Sequence, residues 1–460
     1  MHVHILGICG TFMAGVAAIA KAAGHTVTGS DANVYPPMST QLVRLSIELT
    51  EGYDPAQLEP APDVVVIGNA LSRGNPAVEA VLERGLAYTS GAEWLSRHAL
   101  AGLHVIAIAG THGKTTTASM TAWILEHAGL EPGFLIGGVP GNFDVTARAG
   151  GGQFFVVEAD EYDTAFFDKR AKFVHYRPRT LVLNNLEFDH ADIYADMDAI
   201  LWQVHQLLRT VPGGGRIIAN GADAEIERAL AMGCWTPVER FGLDANHDWR
   251  AEFDDAGQRR FSMARRGGES VRGKWQLTGA HNLENALAAC AAAASAGVSL
   301  ADAIAAMGEF AGVKRRPERT ATVADIAIYD DFAHHPTAIR RTLEGMQQRH
   351  PGQRIVVALE PRSNTMKLGV HNATLASSLA LADQVVVHCP NELGEDFAGL
   401  FAEADNVAVA GDYEALVDAL EQTVRPGDHL VFMSNGGFGG VREKLTQRLR
   451  TSAPAAEEKS

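Results

Sequence analysis

The sequence has few cysteines, no long apolar run and more acidic than basic residues. Its four cysteines lie far apart without a Cys-x-x-Cys pair, which argues against a disulfide scaffold and predicts reduced thiols in a cytosolic protein. The longest run of small and apolar residues, residues 286–298, is short and alanine-rich, so a buried helix fits it better than a membrane span. The formal net charge of −16 argues against a nucleic-acid or anionic-membrane partner, because such binders are basic.

The chain of 460 residues is too long for one ordinary core, and its amino terminus has no signal-peptide pattern. Short apolar runs alternate with helical stretches, which is the pattern of parallel sheets covered by helices. Three units are predicted: one ending near Arg97, one running to about Gly312, and one beginning at "VKRRPER". The stretch Trp249–Gly279 is predicted to be a small β-rich insert. The strand candidates are HVHILGI, DVVVIGNA, HVIAIAG, FFVVEAD, TLVLNNL, GRIIANG, IAIYDDF, RIVVALE, QVVVHC and HLVFMSN.

The strongest motif is the glycine turn between an apolar strand and a helix in "AIAGTHGKTTTAS". Glycines let backbone N–H groups approach a phosphate, and the following helix presents its positive N-terminus. Lys114 can neutralise the β- and γ-phosphates, and Thr115 can give its hydroxyl to Mg²⁺. The usual P-loop spacing would place a glycine where Ile108 stands, so this loop is shorter than the common form. The alternative is an ordinary strand-to-helix turn with threonine capping.

Two acidic clusters follow apolar strands. The first contains Glu158 and the second contains His190. A carboxylate at a strand end beside a P-loop is where a Mg²⁺ ligand is needed to balance triphosphate charge. A histidine ligand would also tolerate Mn²⁺. Exposed carboxylates and a structural histidine are the alternatives. The remaining members of the two clusters are Asp160, Glu161, Asp163, Asn184, Glu187, Asp189 and Asp192.

Amide side chains open a helix in "GAHNLENALAA", where Asn282 and Asn285 lie within one turn. Amides suit a nucleobase because they both donate and accept, and capping of the helix by Asn282 is an equal alternative. The third unit offers further polar clusters, for which a solvated surface is the alternative. Their members are Arg315, Arg316, Arg319, Asp330, Asp331, His334, His335, Arg362, Ser363, Asn364, Lys367, Ser434 and Asn435.

The chain opens with strand, glycine turn, small-residue helix and a second strand ending at Asp31, which resembles half of a Rossmann fold. Two residues separate Gly7 from Gly10, so the dinucleotide spacing is not kept and an NAD-linked dehydrogenase is disfavoured. A helix N-terminus attracts any phosphate in the same way, so this turn could bind a single pyrophosphate, with Asp31 near a sugar. A nucleotide-dependent binding or regulatory protein is a further alternative.

The whole chain resembles the Mur ligase family, ATP-dependent enzymes that attach amino acids or peptides to UDP-N-acetylmuramate. The motifs that carry the resemblance are, in order, "GTHGKTTT", "EADE", "NNLEFDHADIY", "GAHNLENALAA" and "YDDFAHHPT". Within the family, "GICGTFMAG", "GSDANVYPPMSTQL", "KFVHYRPRTLVLNNLEFDHADIY", "EPRSNTMK" and "SNGGFGG" are similar to the member that adds the tripeptide L-alanyl-γ-D-glutamyl-meso-diaminopimelate in peptidoglycan recycling. The member that adds L-alanine in de novo peptidoglycan synthesis, where "PHTYTR"-like residues are expected, is the alternative.

The resemblance implies an α/β fold of three domains. A Rossmann-like UDP-N-acetylmuramate-binding domain spans residues 1–98, and a P-loop ATP-binding domain with a parallel sheet and small β insert spans 99–312. A Rossmann-like ligase domain spans 313–450, followed by a disordered tail at 451–460. The implied partners are UDP-N-acetylmuramate, ATP and the murein tripeptide, with Mg²⁺ or Mn²⁺ as cofactor and neither nucleic acid nor membrane.

The resemblance also implies roles for individual residues. The catalytic residues are Lys114, His190 and Arg316, and the metal ligands are Thr115, Glu158 and His190. The ATP-binding residues are Gly110, Thr111, His112, Gly113, Lys114, Thr115, Thr116, Asn282, Asn285, Arg316, Asp331 and His334. The UDP-substrate residues are Gly7, Cys9, Gly10, Thr11, Ser30, Asp31 and Asn69, and the peptide-binding residues are Arg362, Ser363 and Asn364. Several Mur ligases carry a carbamylated lysine where counting from His190 reaches His205; a histidine cannot be carbamylated in that way, so that role is not carried over.

Overall fold

The computed structural model describes residues 1–34, 38–390, 393–402 and 404–452, and its first sheet is built from the amino-terminal strands. The elements of this part are β1 (His2–Leu6), α1 (Thr11–Ala22), β2 (Thr26–Asp31), α2 (Met38–Arg44), β3 (Glu48–Glu51), β4 (Val64–Ile67), α3 (Pro76–Glu83), β5 (Tyr88–Ser90) and α4 (Gly91–His98). All five strands are parallel, in the order β3-β2-β1-β4-β5. One face packs on α1 and α4 and the other on α3, as in a Rossmann-like sheet.

The second sheet has ten strands, and β6, which leads into the glycine turn, lies near its centre. Its elements are β6 (His104–Ala109), α5 (Lys114–His127), β7 (Gly133–Leu135), β8 (Ala147–Arg148), β9 (Phe154–Ala159), β12 (Thr180–Leu183), α6 (Met197–Leu208), β13 (Arg216–Asn220), α7 (Ala224–Ala231), β14 (Val238–Gly242), β15 (Trp249–Phe253), β16 (Arg260–Arg265), β17 (Val271–Lys274), α8 (Ala280–Ala294) and α9 (Leu300–Gly308). A separate antiparallel hairpin of β10 (Asp163–Ala165) and β11 (Asp168–Ala171) follows β9. Strands β12, β6 and β9 are adjacent and parallel, so their carboxyl ends meet at one edge.

The predicted β insert is confirmed as three strands, and it continues the central sheet. Strands β15, β16 and β17 pair antiparallel to one another, and β15 joins β14 through a short parallel pairing. The insert therefore extends one edge of the sheet, far from the glycine turn in strand order.

The third sheet has six strands and is covered by helices on both faces. Its elements are β18 (Glu318–Val323), β19 (Ile326–Asp331), α10 (Pro336–Arg349), β20 (Ile355–Leu359), α11 (Asn364–Lys367), α12 (Asn372–Ser378), β21 (Gln384–His388), α13 (Gly394–Gly399), β22 (Val407–Ala410), α14 (Tyr413–Thr423), β23 (His429–Met433) and α15 (Val441–Ser452). The strand order is β18-β19-β23-β20-β21-β22, and only β18 is antiparallel to its neighbour.

The first two sheets share one apolar core, whereas the third has cores of its own. A single cluster of buried side chains runs from Val3 to Leu230 and includes residues of both sheets. Small residues permit this contact: a Cβ on Gly15 of α1 would lie 3.1 Å from Leu135 Cγ and 3.2 Å from Ala147 Cβ. The two clusters on the third sheet contain only residues from Ala321 onward.

The predicted three-domain α/β fold is confirmed, and every strand candidate coincides with a strand. The boundaries after residues 98, 312 and 450 stay predictions. Helix α15 continues to Ser452, two residues into the predicted tail, and residues 453–460 lie outside the described part of the chain. Among the helices in the described ranges, each is too short or too polar to cross a bilayer.

Candidate active site

The glycine turn closes tightly against the ends of neighbouring elements. Gly113 has φ +79°, and a Cβ there would lie 2.4 Å from the Asn285 Oδ1 atom on α8. Asn185, which follows β12, accepts from the His112 N–H (2.7 Å) and donates its own amide to the His112 carbonyl (3.1 Å). Helix α5 starts at Lys114, directly after Gly113, and has no side-chain cap. Its first N–H groups are therefore free to bind an anion.

Lys114 is buried at the start of α5 and is held by carboxylates that follow β9. Its Nζ donates to the Gly110 carbonyl (2.7 Å) and to Glu161 Oε2 (2.9 Å), and lies 3.8 Å from Asp160 Oδ1. Burial opposes the charge, but Glu161 and Asp160 outweigh burial and raise the pKa of Lys114 above its ordinary value. The ammonium group therefore stays charged at the mouth of the turn.

The three predicted metal ligands are divided between two contacts, one of which includes a carboxylate outside the predicted set. Thr115 Oγ1 donates to Glu158 Oε1 (2.8 Å), and the other Glu158 oxygen accepts from the Gly137 N–H (2.6 Å). His190 Nε2 lies 3.0 Å from Glu161 Oε1 instead. Within the described ranges no hydrogen bond joins His190 to Thr115 or Glu158, so the structure does not bring the predicted set into one contact.

Glu161 is the carboxylate that the metal prediction omitted. Burial alone would raise its pKa, but the charge of Lys114 and the hydrogen bond with His190 lower that pKa to about 2. Burial likewise opposes the charge on His190, yet Glu161 and Asp189 raise the pKa of His190 above its ordinary value. Glu161 stands three residues after Glu158 in the same strand-end run, and that repetition was the available signal.

A buried chain of amides and a hydroxyl fixes α8 against α5. Asn184 Nδ2 donates to Thr117 Oγ1 (2.9 Å), which donates to Asn285 Oδ1 (3.1 Å). Asn285 thus lies beside the glycine turn, as the ATP-site prediction requires. Asn282 donates to the Thr278 carbonyl (2.8 Å), and the N-cap of α8 is Gly279 without a side-chain cap, so the capping alternative for Asn282 is wrong.

The third sheet contributes Arg316, Asp331 and His334 to the same region. The Arg316 guanidinium stacks 4.5 Å from the Phe332 ring centroid, and burial lowers the Arg316 pKa while Asp331 and Glu158 oppose that shift. Asp331 accepts from Thr342 Oγ1 (2.6 Å). His334 Nδ1 lies 2.9 Å from the Phe332 carbonyl, and burial lowers the pKa of His334 to about 4. Its imidazole is therefore neutral near pH 7.

Helix α10 meets the glycine turn through a group of His112, Glu187 and His335. Their ligand-type atoms lie within 4.8 Å of one another, the only such trio of histidine, cysteine or acidic donors in the described residues. Thr337 already donates its hydroxyl to Glu187 Oε2 (2.7 Å) and its N–H to His335 Nδ1 (3.2 Å). Through these two hydrogen bonds, Glu187 and His335 join the start of α10 to the central sheet.

The predicted UDP-substrate residues gather at the carboxyl ends of adjacent strands β2, β1 and β4. These residues are Gly7, Cys9, Gly10, Thr11, Ser30, Asp31 and Asn69. Asp31 accepts from the Cys9 N–H (2.9 Å) and the Asn33 N–H (3.0 Å), which holds the turn closed. The carboxylate of Asp31 is thus engaged in the loop, and its contact with a sugar stays a prediction.

The predicted peptide residues follow β20, at the edge facing the central sheet. Asn364 Nδ2 donates to Asp192 Oδ2 (2.8 Å) across the two sheets, and Ser363 Oγ accepts from the Met366 N–H (3.3 Å) as the cap of α11. The exposed Arg362 guanidinium lies against Gly436, where an added Cβ would be 2.3 Å from Arg362 Nη1. Arg362 is the charged member of the three, and within the described ranges its guanidinium makes no ion pair.

His205 does not face the site. It lies on α6 between the rings of Trp202 and Trp235, at centroid distances of 6.1 and 6.0 Å. Ile200 and Val204 of the same helix line the small cavity beside Gly110 and Glu161. Counting residues from His190 reached a position about 100° around the helix from the facing one, since a helix turns by that angle per residue.

Three family models match almost the full length of the chain. The Mur ligase family catalytic domain matches residues 2–102, the Mur ligase middle domain matches 108–293, and the Mur ligase glutamate ligase domain matches 315–436.

Individual relatives cover the chain from end to end. It is similar to the UDP-N-acetylmuramate–L-alanyl-γ-D-glutamyl-meso-2,6-diaminoheptandioate ligase of Escherichia coli (strain K12), at 52% identity over 99% of this chain and 100% of that protein. A crystal structure of a murein peptide ligase from Psychrobacter arcticus 273-4 is 45% identical, with a TM-score of 0.79, over 99% of this chain and 100% of that one. A UDP-N-acetylmuramate–L-alanine ligase from Oleidesulfovibrio alaskensis is 33% identical over 96% of this chain and 97% of its own.

Proposed function

The chain belongs to the Mur ligase family, and from that premise we propose that it joins UDP-N-acetylmuramate to L-alanyl-γ-D-glutamyl-meso-diaminopimelate with consumption of ATP. The bond formed is an amide between the muramyl carboxylate and the amine of the peptide. A free tripeptide of this kind comes from cell-wall turnover, so the reaction belongs to peptidoglycan recycling. The location that suits these substrates is the cytosol.

The observation that carries the choice of tripeptide is the difference in identity between the two groups of relatives. Identity is 52% to the tripeptide ligase and 33% to the L-alanine ligase, over nearly the same share of the chain. The phosphate turn does not distinguish the tripeptide from L-alanine. Lys114, Glu161 and the N-terminus of α5 serve ATP binding and do not select the amine.

The reaction needs ATP because a carboxylate is a poor acyl donor, since direct attack by an amine would have to expel oxide. The muramyl carboxylate attacks the γ-phosphate, which forms an acyl phosphate and releases ADP. The peptide amine then attacks the acyl carbon, and inorganic phosphate leaves. No protein nucleophile takes part, so the residues act by binding, orienting and neutralising charge.

ATP would bind at the glycine turn of the central sheet, between the start of α5 and Asn285. The N–H groups of Gly113 and Lys114 and the start of α5 bind phosphate oxygens, and Lys114 Nζ moves from Glu161 to the transferring phosphoryl group. Asn285, fixed by Thr117, borders the turn on the side of α8.

The turn after β1 holds the UDP pyrophosphate on the N-terminus of α1, which has no side-chain cap.

Mg²⁺ fits the donor set at the turn. Thr115 Oγ1 and Glu158 Oε1 are hard oxygen donors 2.8 Å apart, the ligand type that Mg²⁺ prefers, and His190 with Glu161 offers a mixed set that Mn²⁺ also accepts. When bound, the ion would supply charge neutralisation for the phosphates. The protein's part is to fix Glu158, which the Gly137 N–H does through its second oxygen.

The third sheet completes the site. Arg316 and His334 are placed to contact the nucleotide, and Arg362 is placed to bind a carboxylate of the incoming tripeptide, because arginine binds carboxylates in bidentate fashion. The contact of α10 with Glu187 holds this arrangement and excludes water from the acyl phosphate.

The decisive experiment is ADP release with ATP and UDP-N-acetylmuramate, comparing the free tripeptide with L-alanine. We expect kcat/KM for the tripeptide to exceed that for L-alanine by at least about 10-fold, which corresponds to roughly 1.4 kcal/mol of transition-state binding. Reactions lacking the amine or the UDP-sugar give the background. A clear preference for L-alanine would contradict the tripeptide proposal, and ATP binding without coupled phosphate release would contradict ligase activity.

A further inference from the structure

A lysine outside the nucleotide site is buried, and within the described residues its ammonium group has no ionic or hydrogen-bonding partner. Lys172, the first residue of the short helical turn Lys172–His175, is 6% exposed. In the described part of the chain its Nζ makes neither a hydrogen bond nor an ion pair. Instead it lies 4.9 Å from the ring centroid of Phe12 and 5.4 Å from that of Tyr162.

These two rings place the ammonium group between the two halves of the proposed site. Phe12 is in the first turn of α1, directly after the glycine turn for the UDP pyrophosphate. Tyr162 follows Glu161, and its ring lies 4.5 Å from that of His190. Lys172 is therefore at the junction of the first sheet and the reaction centre, where the sugar must reach from one to the other.

Asp160 lies near both lysines. Its carboxylate is 3.8 Å from Lys114 Nζ, and the charges of both Lys114 and Lys172 favour its ionised form against burial, which raises its pKa. Burial lowers the pKa of Lys172, while Asp160 and Asp163 favour its charged form. Asp160 and Glu161 thus favour the charged form of both lysines, and of the two ammonium groups only that of Lys114 lies within ion-pair distance of these carboxylates.

A buried ammonium group without a hydrogen bond costs much more free energy than two aromatic faces return. Lysine at this position is explained if an anion binds there during the reaction. The reacting anion nearest to both glycine turns is the carboxylate of the sugar substrate, which must approach a negatively charged triphosphate. A second ammonium group would offset that repulsion.

We propose that Lys172 binds the carboxylate of the UDP-linked sugar and holds it toward the phosphate site of Lys114. This inference rests on the proposed function, because it requires a sugar nucleotide that carries a carboxylate. Phe12 and Tyr162 hold the lysine stem between their faces, so the ammonium points to one place. The diphosphate of the same substrate is the competing anion, and the experiment separates the two.

The test compares Lys172→Met with Lys169→Met by calorimetric titration of two sugar nucleotides. Methionine keeps an unbranched stem between the rings without the charge, and Lys169 is a matched control three residues earlier with a 70% exposed side chain. UDP-N-acetylmuramate has the carboxylate, whereas UDP-N-acetylglucosamine has the same diphosphate and lacks it. In Lys172→Met we expect the affinity for UDP-N-acetylmuramate to fall by at least about 10-fold and that for UDP-N-acetylglucosamine to change by less than about 2-fold.

Steady-state kinetics and stability complete the test. KM for UDP-N-acetylmuramate should rise in Lys172→Met while KM for ATP is unchanged, and the variant should unfold at no lower temperature than the wild type because a buried charge has been removed. Equal weakening of both sugar nucleotides, or weakening of neither, would overturn the proposal. A wild type that fails to bind UDP-N-acetylmuramate would overturn the proposed function instead.

Discussion

Lys114 is the residue on which the phosphate chemistry depends most directly. Its Nζ lies between the Gly110 carbonyl and Glu161 at the start of α5, at the mouth of the turn. We expect Lys114→Ala to lower ligation by at least about 100-fold, since it removes a charge that stabilises the transferring phosphoryl group. ADP release measures the loss, and titration with UDP-N-acetylmuramate should show binding retained.

The control for this substitution is Lys274→Ala on β17, an exposed lysine at the far edge of the central sheet. It should leave both ligation and sugar-nucleotide binding near the wild-type level. Ligation by Lys114→Ala at a near-normal rate would remove the residue from the mechanism.

Gly113 and Gly129 form a matched pair of left-handed glycines. They have φ +79° and +74°, but a Cβ at Gly113 would lie 2.4 Å from Asn285 Oδ1, whereas nothing lies within 4 Å of one at Gly129. Gly129→Ala should cost only the backbone strain of about 1 kcal/mol. Gly113→Ala should cost more and should also weaken ATP binding. Urea unfolding measures the stability of both variants, and nucleotide titration measures their ATP binding. Equal effects of the two substitutions would mean that Asn285 does not crowd a side chain at position 113.

His4 predicts a dependence of stability on pH. It is 2% exposed in β1, and burial with the nearby His2 lowers its pKa to about 4. Between pH 6.5 and about 4 the unfolded chain therefore binds the proton that the folded chain refuses. The free energy of unfolding should fall as pH falls through this window, by roughly 3 kcal/mol at full shift.

The pH test uses urea unfolding of the wild type, His4→Leu and His98→Gln at several pH values. His4→Leu should reduce the acid-side slope, and Thr28 keeps a hydrogen-bonding partner in His2. His98 is exposed at the end of α4, and its replacement serves as the control for removing a surface histidine. An unchanged slope in His4→Leu would contradict the assignment.

At the scale of single residues, the sequence could predict a site whose members lie close to one another along the chain. The turn from Gly110 to Thr115 could be recognised because its glycines, lysine and threonine are contiguous. The contact of Thr117 with Asn285 joins residues 168 positions apart, and no local pattern specifies it. Lys172 gave no signal at all, since its burial depends on Phe12 from the first sheet.

Helix α10 is the element that joins the third sheet to the phosphate site. Thr337 in its first turn donates its hydroxyl to Glu187 (2.7 Å), and a hydrogen bond to a charged acceptor contributes roughly 1.5–3 kcal/mol. Thr337→Val should therefore lower kcat/KM for ATP by about 10-fold with little change in sugar-nucleotide binding. Steady-state ADP release measures the effect.

Thr374→Val on α12 is the matched control for α10. Among the described residues, its exposed hydroxyl donates only to the His371 carbonyl of its own turn, so the substitution should leave kcat/KM for ATP unchanged. An equal loss in both variants would mean that threonine replacement damages the third sheet in general and that α10 has no special part in closure.

Element length explains which strands the sequence could predict. The central strands are continuous apolar runs buried on both faces, and all of them were found. Edge and hairpin strands such as β3, β8 and β11 have two to four residues and are largely polar, so they carry no apolar pattern. Which face of helix α6 meets the site depends on how the helix packs, which the sequence pattern does not specify.

For the whole molecule, the distribution of apolar cores predicts which parts fold together. The cluster from Val3 to Leu230 spans the first two sheets, while the third sheet has separate clusters. We expect fragments 1–312 and 313–452 to unfold cooperatively on their own. Fragment 1–98 should not, because it exposes the face of α1 that packs on Leu135 and Ala147. Circular dichroism during urea unfolding measures this, and a cooperative transition of fragment 1–98 would contradict it.

The same division of cores decides where the hinge of the catalytic cycle lies. The sugar-nucleotide turn and the phosphate turn are built on one shared apolar core, so we expect their separation to change little when substrates bind. Because the third sheet has cores of its own, we expect it to swing about the connection between α9 and β18. If that motion limits turnover, kcat falls as solvent viscosity rises, whereas a cycle limited by phosphoryl transfer is insensitive to viscosity.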